Sequence, residues 1–177
     1  MSKKVLILSA SPRKGGNSDT LCDEFARGAQ EAGYEVEKVF FRDHKINYCL
    51  GCGVCNTMHK CVQKDDMADV LDKMLAADVL VFGTPVYFYT MDAQLKTLID
   101  RTVPRYTDLK GKAYLIATLA DKGEETMVGT KAAFQGFIDC LDNVEYAGTI
   151  VGYGVWQKGE IVGNPAVEEA YEAGKEC

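Results

Sequence analysis

The feature that most restricts this chain is an alternation of apolar runs with amphipathic stretches, which begins at residue 3 and continues almost to the end. "KKVLILSAS" (3–11) is apolar between small polar residues, the pattern of a strand buried on both faces. Residues 17–32 then place Leu21, Cys22, Phe25, Ala26, Ala29 and Ala32 on one helical stripe, with Asn17 or Ser18 as N-cap and Gly33 as the stop. The cycle repeats. "EVEKVFF" (35–41), "DVLVFGTP" (78–85), "KAYLIATLA" (112–120) and "EYAGTIVGYGV" (145–155) read as strands two to five. Helices are expected on Met67, Val70, Leu71, Met74 and Leu75, on Leu95, Leu98, Ile99 and Thr102, around 126–141, and over 164–175.

Strands joined by helices imply right-handed crossovers and a parallel sheet covered on both faces. Five strands with one run of crossovers suit the flavodoxin-like, doubly wound α/β arrangement with strand order 2-1-3-4-5. No repeat, low-complexity stretch or linker divides the 177 residues, so a single domain over 1–177 is expected, with a cysteine-rich loop insertion at about 47–64. With 47% hydrophobic and 26% charged residues, the composition is that of a soluble globule. The apolar part of "MSKKVLILSA" is too short for a signal peptide, which points to a cytoplasmic, reducing setting. A net charge of -6 argues against nucleic acid, and no apolar run is long enough for a membrane span.

In such sheets ligands bind beyond the carboxyl ends of the strands, near the switch in strand order. After strand one, "SASPRKGGNSDT" (9–20) offers Ser11, Asn17, Ser18 and Thr20 as polar donors, flexible Gly15 and Gly16, the charge of Arg13, and a helix N-terminus. That chemistry suits a phosphate monoester, although an ordinary polar turn would share much of it. It is neither a dinucleotide fingerprint nor a Walker A loop. After strand three, "GTPVYFYTM" (83–91) sets Pro85, Val86, Tyr87, Phe88 and Tyr89 where they would cover a flat apolar surface such as an isoalloxazine ring; Tyr89 and Met91 read as interface residues.

"CLGCGVCNTMHKC" (49–61) has the spacing C-x2-C-x2-C-x5-C. Clustered thiolates in a reducing compartment bind metal or do redox chemistry. The spacing resembles compact ferredoxin-type runs, with a zinc site and a redox thiol pair as alternatives. Cys22 and Cys140 read as small core residues, Cys177 as a mobile terminus, and His59 as a solvated loop residue. No Ser/His/Asp or Cys/His/Asp set suggests acyl transfer.

Taken in order, "SPRKGGNS", "CLGCGVCNTMHKCVQKDDM", "GTPVYFYTMDAQLKTLIDR" and "GVWQKGEI" resemble the iron-sulfur flavoprotein branch of the flavodoxin-like NAD(P)H-dependent FMN reductase superfamily. The resemblance implies FMN, with Ser11, Arg13, Asn17 and Ser18 at its phosphate, Pro85, Val86, Tyr87 and Phe88 along its ring, and Thr118 approaching the flavin. It implies a [4Fe-4S] cluster on Cys49, Cys52, Cys55 and Cys61. For such electron transfer no side-chain acid or base is expected to be essential. The resemblance further implies a homodimer or homotetramer, in which one subunit's cluster faces another's flavin, and electron exchange with ferredoxin or a similar carrier. The alternative is an NAD(P)H-dependent reductase of FMN or quinones without a cluster; a non-catalytic flavin- or zinc-binding module is a third reading. "LADKGEET" (119–126) departs from the glycine-rich turn that relatives often carry after strand four, where nicotinamide would approach.

Overall fold

A computed structural model describes residues 2–177. Five parallel strands, β1 (Lys4–Ser9), β2 (Glu35–Phe40), β3 (Val79–Tyr87), β5 (Lys110–Thr118) and β6 (Asn143–Gly152), lie in the order β2-β1-β3-β5-β6. This is the expected order, with one addition: the two-residue β4 (Thr90–Met91) pairs antiparallel to β3, outside the main path. The hairpin between them reverses at Phe88 and Tyr89, both at positive φ (50° and 64°), as a two-residue turn of this hand requires.

Side-chain alternation along the strands divides the core into two layers. Val5, Ile7, Val79, Val81 and Ile116 face α1 (Asn17–Glu31) and α6 (Ala166–Glu176). Leu6, Leu8, Leu80, Phe82 and Leu115 face the other side, which is covered by α3 (Met67–Ala76), α4 (Ala93–Asp100) and α5 (Val128–Ile138). Phe82, Phe134 and Tyr146 meet edge to face there, at centroid separations of 5.2 and 5.3 Å. Helix α1 ends as its sequence dictates: Gly33 takes φ +87°, its N–H donates to the Gln30 carbonyl, and the Tyr34 N–H donates to that of Ala29.

Several expectations are corrected. The N-cap of α1 is Gly16, and Asn17 and Ser18 lie inside the first turn, because Gly16 already accepts the first helical bond, from the Thr20 N–H. Met91 is core, packed beneath the hairpin, and not an interface residue. Cys140 follows the end of α5 and is exposed, its thiol turned back to the Gly136 carbonyl. Cys177 is buried against the α1/α6 layer, and Lys3 Nζ holds its carbonyl at 2.9 Å. Cys22 is core as expected, and burial pushes its thiol up to about 12.

Candidate functional site

The loops after β1 and β3 flank the switch point, where β1 neighbours both β2 and β3. Ser11, Arg13, Gly16, Asn17, Ser18, Pro85, Val86, Tyr87, Thr118, Leu119, Ala120, Val155 and Trp156 line one cleft there. Eight of the nine residues expected at a flavin are thus gathered. Phe88 is the exception: it lies at the tip of the reversed hairpin, 98% exposed and outside the cleft lining.

The first loop is held by a buried carboxylate. Asp19 Oδ1 accepts from Ser9 Oγ at 2.6 Å, its Oδ2 accepts the Gly15 N–H at 2.7 Å, and Lys38 Nζ pairs with it at 2.6 Å. Burial raises the Asp19 pKa, but the bonds from Lys38, Ser9 and Gly15, with the Lys38 charge, outweigh burial and leave it below its ordinary value. The negative charge of Asp19 at the helix mouth is therefore neutralised internally. Ser11 Oγ bonds to both the N–H and the carbonyl of Arg13, shaping the turn. At Gly16 a Cβ would stand 2.8 Å from the Arg13 carbonyl oxygen, so only glycine fits.

The Asn17 side chain behaves differently from the sequence expectation of a free donor. Its Nδ2 donates to the Gln157 carbonyl at 2.9 Å, and its Oδ1 accepts from the Gly159 and Ile161 amides. Arg13 Nη1 likewise donates to the Trp156 carbonyl, and Lys158 Nζ to that of Lys14. These bonds dock "GVWQKGEI" onto the first loop and bring Trp156, 61% exposed, to the cleft. The motif alone assigns neither Val155 nor Trp156 to the site, and no sequence signal marks Leu119 and Ala120, which follow Thr118 along the strand end. What remains open to an anion is the Ser18 hydroxyl, the rest of the Arg13 guanidinium and the N–H groups of the first turn, which have no acceptor within the helix.

Behind the cleft wall, the carboxylate of Asp92 caps α4, accepting the Leu95 N–H at 2.9 Å. Thr84 Oγ1 accepts the Asp92 N–H, and Asp92 Oδ2 has no partner among the described residues. Burial pushes this carboxyl up to about 7. The folded protein therefore keeps its proton where the unfolded chain releases it, and the contribution of Asp92 to stability is expected to fall as pH rises from about 3.8 to about 7. The difference in urea midpoint between wild type and Asp92→Asn, followed across that range, should show the fall.

The cysteine segment leaves the same sheet edge, after β2. Arg42 Nη1 donates to the Pro12 carbonyl, and Lys14 pairs with Asp43 at 2.9 Å, which ties its start to the first loop. Gly51, Gly53 and His59 adopt positive φ around the short helix α2 (Cys55–Met58). His59 is exposed, as expected of a loop residue. Cys49, Cys52, Cys55 and Cys61 line one cavity of about 280 Å³, together with Leu50, Val62 and Val103. Among the described residues, no three potential ligands converge on a single point. A four-iron cube does not require such convergence, since each thiolate binds a different iron. The chemistry and common cavity of the four thiols therefore fit such a group.

The base of the segment is clamped. Arg101, at the C-cap of α4, donates from Nη1 and Nη2 to both oxygens of Asp65, at 2.7 and 2.8 Å. Nη1 also reaches the Asn47 carbonyl at 2.5 Å, and Nη2 faces Cys61 Sγ at 3.6 Å. Both side chains are buried, 2% and 0% exposed. The hydrogen bond from Arg101 holds the Asp65 carboxyl at about 2 despite the opposing effect of burial.

The fold and the cleft define a flavodoxin-like α/β protein with a polar helix mouth and an aromatic wall at its switch point. Residues 3–141 match the sequence profile described as NADPH-dependent FMN reductase. An iron-sulfur flavoprotein of Archaeoglobus fulgidus is 40% identical over 62% of this chain and 50% of its own length. Another, from Methanocaldococcus jannaschii, is 36% identical over 71% of this chain and 67% of its own. The chain belongs to the NADPH-dependent FMN reductase family, in its iron-sulfur flavoprotein branch. The match spans about half the length of several of these curated relatives. Among solved structures, an azoreductase from Bacillus anthracis superposes with TM-score 0.76 at 19% identity, covering 99% of this chain and 100% of that one. A NAD(P)H:quinone oxidoreductase from Methanothermobacter marburgensis superposes with TM-score 0.70 at 19% identity, over 99% and 96%. Identities this low establish the shared fold alone. Among the described residues no helix is long and apolar enough to cross a membrane.

Proposed function

We propose that this chain is a flavin-dependent oxidoreductase that moves electrons between a [4Fe-4S] cluster, FMN and an external carrier such as ferredoxin. The observation that carries the reading is the single cavity lined by all four clustered cysteines, on a segment leaving the same sheet edge as the switch-point cleft. Bound together, a flavin that exchanges electrons singly or in pairs and a one-electron cluster would couple partners of the two kinds.

The chain's own residues would do the holding. Ser18, the first-turn amides of α1 and the charge of Arg13 receive the phosphate, while Ser11 and Asn17 shape the loop around it. Pro85, Val86, Tyr87 and Thr118 bound the ring, with Trp156 brought to the cleft beside the first loop. Cys49, Cys52, Cys55 and Cys61 supply the thiolates. Assembly as a homodimer or homotetramer belongs to the same reading, supported by the exposed apolar side chains of Tyr48, Leu50, Met58 and Val62 on the cysteine segment and Phe88 and Tyr89 on the hairpin.

A second reading, an NAD(P)H-dependent reductase without a cluster, is favoured by the description of the matching family. Iron and acid-labile sulfide measured after anaerobic purification separate the two. About four of each per chain, with FMN, is the expected result. FMN with rapid NADPH oxidation and no iron would favour the second reading, and zinc without flavin would overturn both.

A further inference from the structure

Resting on the cluster reading above, we propose that Arg101 is a positioning residue that fixes Cys61 and raises the cluster's reduction potential through a charge-assisted N–H···S hydrogen bond. A buried guanidinium is costly unless its donors are matched, and replacing a buried ion pair with apolar side chains is often neutral or stabilising. Simple packing of α4 therefore gives no reason for an arginine here. Its geometry gives one. The guanidinium touches the segment before the first cysteine (the Asn47 carbonyl), after the last (the Asp65 carboxylate), and at Cys61 itself. A planar fork can serve three directions at once, whereas a lysine ammonium is a point charge on a flexible stem.

The electrostatic consequence follows from the same contacts. Reduction adds one negative charge to a cluster and its thiolates, so a cationic donor aimed at a ligand sulfur stabilises the reduced form more than the oxidised one. Asp65 acts in the opposite sense by compensating the guanidinium charge. The two residues should therefore shift the potential in opposite directions when altered, which a purely structural clamp would not do.

The test uses holoprotein purified anaerobically, with iron and FMN counted and the cluster midpoint read by an EPR-monitored redox titration. Arg101→Lys is expected to make cluster reduction at least tenfold less favourable, about 59 mV for a one-electron couple. Asp65→Asn is expected to raise the midpoint. Iron lost from Arg101→Lys while FMN is retained would support the clamp, since general unfolding would release both. Full iron with an unchanged midpoint in Arg101→Lys would overturn the inference and leave the cluster reading standing. Should Arg101→Lys not fold, Asp65→Asn carries the test, and an unchanged or lowered midpoint overturns it. Wild-type protein without iron would remove the cluster reading itself, and this is visible before any variant is made.

Discussion

Replacing Cys52 by alanine is expected to abolish the cluster's iron and its visible absorption while FMN remains bound at the wild-type stoichiometry. Cys52 is exposed on the segment, so the substitution leaves no cavity in the core and should cost little folding stability. It removes one of four thiolates that share a cavity, and a four-iron cube left with an open corner is exposed to water and oxygen. Among the described residues no further group of potential ligands converges with the remaining thiols, and His59 is an exposed residue closing α2. The switch-point cleft proposed for FMN is built from other loops, so its contents should be unaffected. Iron and sulfide assays with an absorption spectrum decide the matter. Unchanged iron in this variant would mean that the four-ligand assignment is wrong.

Gly28→Ala is expected to destabilise the fold by about 1–3 kcal/mol, although glycine to alanine in a helix usually stabilises. The reason lies in the crossing of α1 with α6. A Cβ at Gly28 would stand 2.0 Å from the Tyr171 carbonyl oxygen, and one at Gly174 would stand 2.1 Å from that of Phe25. Both obstacles are backbone, so relief requires the helices to separate and to expose apolar surface along Phe25, Ala29 and Ala170. Gly136 on α5 provides the contrast, because a Cβ there meets nothing within 4 Å. Gly136→Ala should stabilise by about 0.4–1 kcal/mol. For a chain of this size each kcal/mol moves the melting temperature by about 2–4 °C. Melting curves for the two variants should therefore shift in opposite directions, and a Gly28→Ala protein at least as stable as wild type would refute the close-packed crossing.

Much of the fold was legible because it rests on local periodicity. Runs such as "KKVLILSAS" and "DVLVFGTP" are apolar on both faces, which only a strand between two helical layers requires. The stripe through Leu21, Phe25 and Ala29 with Gly33 after it marks a helix and its end in the same way. Some departures came from contacts distant in sequence, others from local turns. Asn17 looked like a free donor, yet its amide is occupied by residues 157–161, some 140 positions away. Phe88 reads as part of an aromatic wall, and the local β3–β4 hairpin leaves it exposed, outside the cleft lining. Cys177 looked like a loose end, yet α6 buries it against the sheet.

What the sequence determined by itself is the doubly wound parallel sheet, its strand order, the two loops at the switch point and the spacing of the four thiols. All of these follow from hydrophobic period, turn chemistry and chain connectivity, which operate over a few residues at a time. Tertiary structure alone decided that Asp19 and Lys38 neutralise each other beneath the first loop, that Trp156 reaches the cleft, and that Arg101 grips Asn47, Cys61 and Asp65 together. The physical reason is common to the three: a charge or a polar side chain acquires its role from the partner that desolvation forces upon it, and that partner is chosen by packing rather than by proximity along the chain.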